Sequence, residues 1–450
     1  MLTSPRYVAY KILHKIETEG GYSNISLSHE IRNSNFSELD KGFLTELTYG
    51  VIERKVTLDY FITRFSSVPV RKMNVHVLIL LRISAYQLAF MSKVPNYSIC
   101  DETVKIAKRV IPVNAGFINA VVRAMSSEEL KVPNYSKKSF HTHTRYLSVK
   151  HSMPEWLIER WLKMFGHEML ETMFESMNNS VRFEIRANRL KTNVERLQES
   201  LDIDGFHTKK SNVSVDTLVV ENPSGIIRSS EFKDGLFYVQ DSAAALASII
   251  LNPSANDRIL DACSAPGGKA THIAEIIQDK GEVIASDIYP HKLSLIEENF
   301  NRLGISCIKT VIFDATKFNR DFENYFDKIL LDVPCTGLGL LSRKPEIRWS
   351  RTESDFLELN SLQKNILENC AKYLKVGGSL VYSTCSLDET ENHDIISSFV
   401  KENSNFEFSD FESLLPDSIK NRGGKEGSLT LFPHIDNTDG FFISKIRRIF

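Results

Sequence analysis

The chain has 450 residues, of which 42% are hydrophobic and 25% charged, with a formal net charge of -2. This length predicts two to three domains, each large enough to bury its own core. The longest apolar run near the N-terminus, Val77 to Leu81, is too short to span a bilayer, and no signal-peptide pattern precedes it, so we expect a cytoplasmic protein without a membrane partner.

The first 130 residues show helical periodicity almost throughout, with apolar residues recurring on one face and prolines falling between the apolar stretches. They predict an all-helical domain over residues 1–130. Residues 1–150 carry 21 Lys and Arg against 12 Asp and Glu, a net charge of +9, which leaves -11 for the rest of the chain. That excess fits a polyanion such as RNA, or equally a lysine-rich solvated surface.

The composition turns polar over residues 131–150, which we interpret as a linker. Pro154 then begins an amphipathic helix, PEWLIERWLKMF. Short strand candidates follow at 182–188, 217–222 and 236–241, with a helical VERLQESL between the first two. The pattern predicts a small α+β domain over residues 151–235.

Strands and helices alternate over residues 236–450. Five apolar strands are predicted at 258–262, 282–287, 307–314, 327–333 and 378–384. This alternation indicates an α/β fold with a doubly wound, mostly parallel sheet covered on both faces. Ligands of such sheets bind at the carboxyl ends of the strands.

The stretch ILDACSAPGGKATHIA, from Ile259 to Ala274, predicts a strand, a glycine turn and a helix that cradle a ligand. It is not a phosphate loop, because Cys263 stands where that pattern needs its first glycine and Ala270 where it needs Ser or Thr. The single glycine pair also departs from the GxGxxG fingerprint, so a NAD-dependent oxidoreductase is poorly supported. A nucleoside ligand without a pyrophosphate fits better.

Two carboxylates suit such a nucleoside. Asp287 ends a strand about 20 residues after the glycines, the usual distance for a carboxylate that accepts ribose hydroxyls. Asp314 ends the next strand, where it could accept an adenine amino group. S-adenosylmethionine matches, because it has adenine, ribose, a cationic sulfonium and no phosphate. The alternative is that each aspartate only caps the following helix.

Acidic groups and a thiol end the predicted strands, namely Asp261, Asp287, Asp314, Asp332 and Cys385. The six cysteines include no CxxC pair, so neither structural disulfides nor a metal site is predicted. Cys335 and Cys385 differ from the others because each lies in a turn just beyond a strand, where a thiolate can act as a nucleophile. The residues alone do not rank these two thiols.

A nucleophilic thiolate in a methyltransferase suits carbon 5 of cytosine, which is too weak a nucleophile to take a methyl group directly. Attack of sulfur on carbon 6 gives an enamine whose carbon 5 can take the methyl group. A base then removes the proton from carbon 5 and the sulfur is expelled. Covalent catalysis thus divides one difficult step into easier ones.

Several ordered motifs resemble the RNA (cytosine-5) methyltransferases of the Nop2/Sun group. From Tyr238 onward they are YVQDSAA, DACSAPGGK, SDIYPHK, DVPCTGLG with RKPEIRW, YSTCSLDETEN and DGFF. Residues 1–130, with LDKGFLTELTYGVIER, resemble the helical RNA-binding domain of the NusB type. The segment RFEIRANRLKTNVERL is similar to the group's small RNA-recognition-like domain. This fusion resembles bacterial enzymes that modify small-subunit (16S) rRNA.

The resemblance implies a Rossmann-like methyltransferase domain over residues 236–450 that methylates carbon 5 of a cytosine in 16S rRNA. It implies that Asp287 holds the ribose of S-adenosylmethionine and Asp314 its adenine, with Asp332 beside the methyl donor and the target base. Cys385 would be the nucleophile, and Cys335 would assist release of the product. The turn around the cofactor would comprise Cys263, Ser264, Ala265, Pro266, Gly267, Gly268 and Lys269.

Positive charge close behind Cys335 is expected to contact RNA through Arg343, Lys344 and Arg348. The alternative for this cluster is a loop that forms salt bridges with local acids. We expect a monomer whose partner is 16S rRNA, free or in an assembling subunit, and not DNA. A different class of function is also open, that of a non-catalytic RNA-binding assembly factor that keeps the methyltransferase fold.

Overall fold

The computed structural model describes residues 4–20, 23–136, 138–179 and 182–450. The chain divides into two compact units. The first unit consists of Met1–Asn178 and Arg343–Ser350, and the second of Asn179–Ser342 and Arg351–Phe450. No helix within the described ranges has both the length and the apolar character needed to cross a membrane.

The first unit is helical, as its periodicity predicts. Its helices are α1 (Pro5–Glu19), α2 (Ser23–Arg32), α3 (Glu38–Glu53), α4 (Lys55–Phe65), α5 (Val75–Phe90), α6 (Asn96–Val110), α7 (Ala115–Ser126), α8 (His143–His151) and α9 (Glu155–Asn179). α5 is apolar on nearly all sides and packs against α1, α3, α4, α6 and α7, so it forms the centre of the core. The buried Arg82 of α5 is neutralised by Asp59 of α4, at 2.7 and 2.8 Å.

The end of this unit includes residues that the sequence assigns to a linker and to the small α+β domain. α8 begins inside the predicted linker and packs against α4. α9, which the sequence assigns to the small α+β domain, groups with the first compact unit, and the predicted start of that domain at residue 151 stays a prediction. Trp161 of α9 is fully buried and stacks on Phe174, with ring centroids 5.9 Å apart. α9 is interrupted at Gly166, and the two rings come from the segments on either side of this break.

The second unit begins with a four-stranded antiparallel sheet. Its elements are β1 (Phe183–Ala187), α10 (Val194–Ile203), β2 (Thr208–Lys210), β3 (Thr217–Val220), α11 (Ser230–Lys233) and β4 (Phe237–Val239), with strand order β2-β3-β1-β4. The three predicted strands of this domain are present. β2 went unpredicted because two of its three residues are exposed lysines.

A larger sheet follows in the same unit. Its strands are β5 (Arg258–Asp261), β6 (Glu282–Asp287), β7 (Ile308–Ile312), β8 (Phe326–Asp332), β9 (Leu374–Thr384), β10 (Phe406–Phe408), β11 (Ser428–Leu431) and β12 (Phe441–Arg448). The helices between them are α12 (Ser242–Leu251), α13 (Gly268–Ile276), α14 (Pro290–Leu303), α15 (Ile347–Ser350), α16 (Asp355–Ala371), α17 (His393–Glu402) and α18 (Pro433–Asp436). α15 lies in the segment that groups with the first unit.

The order β10-β12-β9-β8-β5-β6-β7 is parallel from β9 to β7 and antiparallel where β12 meets β9 and β10. Neighbouring residues of one strand enter different cores, as Ile259 and Leu260 of β5 do. The sheet is therefore covered on both faces, as the sequence predicts. The antiparallel strands β10 to β12 were not predicted.

Candidate active site

Three neighbouring parallel strands end at the candidate site. β5 ends at Asp261, β8 at Asp332 and β9 at Thr384, in the sheet order β9-β8-β5. The glycine turn that follows β5, the carboxylate that ends β8 and Cys385 after β9 therefore come to one edge of the sheet. Ligand sites of open α/β sheets occupy this edge.

The turn over residues 263–269 is tight and packs closely on α14. Gly267 has φ +96°, a conformation that favours glycine, and a Cβ added there would lie 3.0 Å from Cγ2 of Ile296. The N–H of Gly267 donates to the carbonyl oxygen of Ser264 at 2.7 Å, and α13 begins at Gly268. The absence of a side chain at Gly267 therefore lets the turn pack against α14.

A cavity of about 190 Å³ opens beside this turn. Every predicted turn residue except Gly267 lines it, together with Asp261, Asp332, Ala244 and residues 238–240. The cavity thus joins the end of the small sheet to the ends of β5 and β8. This combination was not predicted, since no local pattern links Tyr238 and Gln240 to the cofactor turn.

The polar atoms in the cavity wall fit S-adenosylmethionine. Both carboxylate oxygens of Asp261 and the hydroxyl of Ser264 are buried and have no hydrogen-bond partner among the described residues. Buried polar atoms ordinarily have partners, and the ribose hydroxyls and ammonium group of this cofactor are suitable donors. Burial raises the pKa of Asp261 to about 7. Asp261 is absent from the predicted ligands, although its place before the glycine turn is a signal for one.

Asp332 joins the cofactor turn to the end of β9. Its carboxylate accepts from Lys269 Nζ at 2.7 Å and from the hydroxyl of Ser383 at 2.9 Å. Burial alone would lower the pKa of Lys269, but the charge and hydrogen bond of Asp332 more than offset it and raise that pKa. The two side chains are therefore held as an ammonium–carboxylate pair in the cavity wall.

The two thiols predicted to face the cleft lie side by side. Sγ of Cys335 is 3.3 Å from Sγ of Cys385, and both residues are half-buried. The adjacent Cys385 sulfur, together with burial, raises the pKa of Cys335 well above its usual range. Cys335 therefore keeps its proton near neutral pH.

A buried carboxylate that the sequence did not single out supports the Cys335 turn. Glu391 accepts from the backbone N–H of Thr336 at 2.8 Å and also from its hydroxyl. Gln363 donates to the same carboxylate at 3.1 Å. Glu391 lies within the YSTCSLDETEN motif. The sequence does not reveal, however, that Glu391 bonds Thr336 on the other turn. It ties the turn after β8 to the segment after β9.

Asp287 and Asp314 end or follow neighbouring strands but lie outside the lining of the cavity. Asp287 accepts from the N–H of Tyr289 at 3.0 Å. Asp314 accepts from the N–H and hydroxyl of Thr316, and these hydrogen bonds hold the pKa of Asp314 below its usual value. Each carboxylate thus bonds the backbone two residues further along its own turn and does not cap the following helix, and a role toward the cofactor stays a prediction. Burial raises the pKa of the Cys263 thiol in the glycine turn.

The basic cluster behind Cys335 is not a uniform RNA-binding surface. Arg348 is buried, and its guanidinium donates to the carbonyl oxygens of Glu53 and Ser152 and, at 2.8 Å, to Oδ1 of Asn178. The predicted RNA contact by Arg348 is therefore corrected, because no phosphate can replace these buried partners. Arg343 is half-buried and Lys344 is exposed.

Family models match three stretches of the chain. Residues 248–447 match the model of the 16S rRNA methyltransferase RsmB/F, residues 3–127 the NusB family, and residues 153–227 the ferredoxin-like domain of RsmF/B-like methyltransferases. The "Probable ribosomal RNA small subunit methyltransferase B" of Bacillus subtilis (strain 168) is 36% identical over 450 residues, 99% of each chain. The corresponding protein of Escherichia coli (strain SMS-3-5 / SECEC) is 32% identical over 91% of each chain.

Solved structures agree. A crystal structure of PH0851 aligns over 100% of both chains with a TM-score of 0.83 and 27% identity. NSun6 from Pyrococcus horikoshii with SFG aligns over 66% of this chain and 98% of its own, with a TM-score of 0.59 and 26% identity. The chain therefore belongs to the family of ribosomal RNA small subunit methyltransferase B, in which a NusB-like domain and a ferredoxin-like domain precede an S-adenosylmethionine-dependent methyltransferase domain.

Proposed function

We propose that this chain transfers a methyl group from S-adenosylmethionine to carbon 5 of a cytosine in small-subunit rRNA through a covalent cysteine adduct. The observation that carries the proposal is the pair of sulfurs 3.3 Å apart at the ligand edge of the sheet. An rRNA methyltransferase that acted on a ribose or an exocyclic nitrogen would have no need of two adjacent thiols there. Carbon 5 requires one, because sulfur must first activate the ring.

The cofactor is assigned to the cavity beside the glycine turn. Asp261 and Ser264 offer buried acceptors, and Asp287 and Asp314 are proposed for the ribose and the adenine. When bound, S-adenosylmethionine supplies a methyl group on a positively charged sulfur. The carboxylates of Asp261 and Asp332 complement that charge.

The thiols take different roles in this proposal. Sγ of Cys385 forms a bond to carbon 6 of the cytosine, which makes carbon 5 electron-rich. Cys335 keeps its proton, because the neighbouring sulfur and burial disfavour its thiolate and raise its pKa. Once carbon 5 carries the methyl group and has lost its proton to a base, the bond between Cys385 and carbon 6 breaks. Protonated Cys335, beside the departing sulfur, is placed to assist this release.

Asp332 is proposed to orient the target base. One of its oxygens accepts a hydrogen bond from Lys269, and the other accepts a hydrogen bond from Ser383. The carboxylate is therefore fixed between the cofactor turn and β9. A carboxylate held in this way can accept a hydrogen bond from the exocyclic amino group of cytosine. The base must leave its stack to reach it. Lys344, with the basic helical domain, is proposed to hold the surrounding phosphates.

Methyl transfer to rRNA tests the proposal. Unmethylated small-subunit rRNA is incubated with the protein and S-adenosylmethionine labelled in its methyl group, and modified nucleosides are identified by mass spectrometry. The expected product is 5-methylcytidine. Label on another atom would contradict the cytosine chemistry, and rRNA binding without any label would favour the assembly-factor alternative.

A further inference from the structure

A buried arginine of the small sheet contacts the cofactor turn. Arg186 lies on β1 and is fully buried, as is Glu275 of α13. Its guanidinium forms a two-pronged pair with Glu275, with Nη2 at 2.6 Å and Nε at 3.3 Å from the two carboxylate oxygens. Nη2 also donates to the hydroxyl of Thr271 at 3.1 Å.

The remaining nitrogen of Arg186 reaches the cavity wall. Nη1 donates to the carbonyl oxygen of Gly268 at 2.6 Å and to the side-chain oxygen of Gln240. The guanidinium carbon lies 5.4 Å from the ring centroid of Tyr238. Gly268, Gln240 and Tyr238 all line the cavity. One side chain thus contacts three parts of the cofactor site without lining it.

Stability of the fold alone does not account for this arrangement. A buried ion pair contributes little net stability compared with apolar side chains of the same volume, because both charges lose their hydration. The planar guanidinium of Arg186, however, fixes several acceptors in one geometry, which a lysine cannot do. The backbone of Gly268 is one of these acceptors, and it forms the wall against which the ligand must fit.

We propose that Arg186 is a positioning residue for the cofactor, which sets the place of the Gly268 backbone and of Gln240 in the cavity wall. The inference rests on the cofactor site of the proposed function and not on the cytosine chemistry. The charge of Glu275 offsets the cost of burying the guanidinium, whereas the bonds to Gly268, Gln240 and Thr271 hold its fork in place and shape the cavity. These two contributions can be separated by substitution.

Two conservative variants separate them. Arg186→Lys keeps a positive charge opposite Glu275 but cannot bond Gly268 and Gln240 at the same time. Glu275→Gln keeps an acceptor for the guanidinium but leaves its charge unpaired, so Tm should fall most in this variant. The Kd of S-adenosylmethionine is measured by calorimetry and Tm by thermal unfolding, with the full chain and without RNA.

We expect Arg186→Lys to raise the Kd by about tenfold or more, because small displacements of a site wall weaken fit strongly. Glu275→Gln should leave the Kd within about twofold of the unaltered chain despite its lower Tm. A purely structural role would make the Kd follow Tm in both variants, and that result would overturn the inference. Failure of the unaltered chain to bind S-adenosylmethionine would instead overturn the proposed cofactor site.

Discussion

At the scale of single residues, the site depends on which groups hold protons. Asp261 is buried beside the Lys269–Asp332 pair, and burial raises its pKa to about 7. Cys335 is disfavoured as a thiolate by the sulfur next to it. These two groups set the charge of the cavity and the reactivity of the thiol pair, and each can be titrated.

The carboxylate of Asp261 makes cofactor binding dependent on pH. In the free protein the raised pKa keeps Asp261 protonated below about pH 7, whereas the unfolded chain loses this proton near pH 4, so the contribution of Asp261 to stability falls as pH rises from 4 to 7. The positive charge of a bound S-adenosylmethionine favours the ionised form of Asp261 over the protonated form. We therefore expect S-adenosylmethionine to bind about tenfold more weakly at pH 6 than at pH 8.

Calorimetry in two buffers that differ in ionisation enthalpy would measure both the affinity and the protons released on binding. Asp261→Asn is the matched control, because it keeps the shape and removes the titration. An affinity that does not change between pH 6 and pH 8 in the unaltered chain would contradict the assigned role of Asp261.

The two thiols should differ in reactivity toward an alkylating reagent. Only a thiolate reacts rapidly, and the pKa of Cys335 is raised by the Cys385 sulfur and by burial. At pH 8 we expect iodoacetamide to modify Cys385 at least about tenfold faster than Cys335. Peptide mass spectrometry over time measures both rates.

The variant Cys385→Ser serves as the control for that measurement, because it removes the neighbouring sulfur and should accelerate modification of Cys335. Faster modification of Cys335 than of Cys385 in the unaltered chain would reverse the roles proposed for the pair.

At the scale of elements, the turns after β8 and β9 act as one structure. The N–H of Gly339 donates to the carbonyl oxygen of Cys385, and the N–H of Gly440 donates to that of Gly339, each at 2.9 Å. Glu391 adds its bonds to Thr336 and Gln363. The separation of the sulfurs is therefore fixed by contacts between loops that are distant in sequence.

Glu391→Gln should disturb this structure. The amide replaces one acceptor oxygen by a donor that faces the donors of Thr336 and Gln363, at a cost of about 1–3 kcal/mol in the free energy of unfolding. We expect kcat to fall while the Kd of S-adenosylmethionine stays unchanged, since the cavity does not include Glu391. Unfolding curves, single-turnover rates and calorimetry check this. The exposed Glu389→Gln is the control and should behave as the unaltered chain.

The elements also show where the sequence is informative. β5 to β9 are rich in apolar residues, so all five strands could be predicted. β12 contains Lys445, whose side chain is buried and donates to the carbonyl oxygen of Ile250 at 2.8 Å, with Arg447 and Arg448 following it. These charges hide a strand whose other residues, apart from Ser444, are apolar. Burial of a charge depends on a partner 195 residues away, which local periodicity cannot reveal.

The site was predictable to a similar extent. The carboxyl ends of parallel strands meet at one edge of the sheet. The sequence therefore predicts that Asp332, the glycine turn and the two cysteines lie close together. The sulfur–sulfur distance could not be predicted, because it follows from loop contacts. Arg348 was misassigned because its charge suggests an exposed surface, whereas its acceptors on Glu53, Ser152 and Asn178 are far away in the sequence.

At the scale of the whole molecule, basic residues divide into those that hold the structure and those that face solvent. Arg348 belongs to the first class and Lys344 to the second. Burial lowers the pKa of Arg348 to about 10, which leaves its charge intact near neutral pH. Its carbonyl and amide acceptors therefore bond a cation.

Substitutions should separate these classes. Arg348→Ala is expected to lower the free energy of unfolding by about 2–4 kcal/mol, because it removes buried charged hydrogen bonds. Lys344→Glu should leave the free energy of unfolding unchanged and weaken rRNA binding. The slope of log affinity against log salt concentration should become shallower by the amount of roughly one phosphate contact. Thermal unfolding and filter binding at several salt concentrations measure these effects.

Lys280→Glu is the matched charge control, since Lys280 precedes β6 at the edge opposite the strand carboxyl ends and is exposed. Equal loss of rRNA affinity in Lys344→Glu and Lys280→Glu would mean that only overall charge matters, and would remove Lys344 from the proposed RNA contacts.

Cys385 is proposed to bond transiently to a cytosine, and Cys335 is proposed to assist the release of that bond. The most direct measurement incubates Cys335→Ala with small-subunit rRNA and S-adenosylmethionine, separates the mixture on a denaturing gel and locates any cross-linked nucleotide by mass spectrometry. We expect an RNA adduct on Cys385 in Cys335→Ala, and neither adduct nor methylation in Cys385→Ala. An adduct on Cys335 in the Cys385→Ala variant, or full methylation by that variant, would contradict the account.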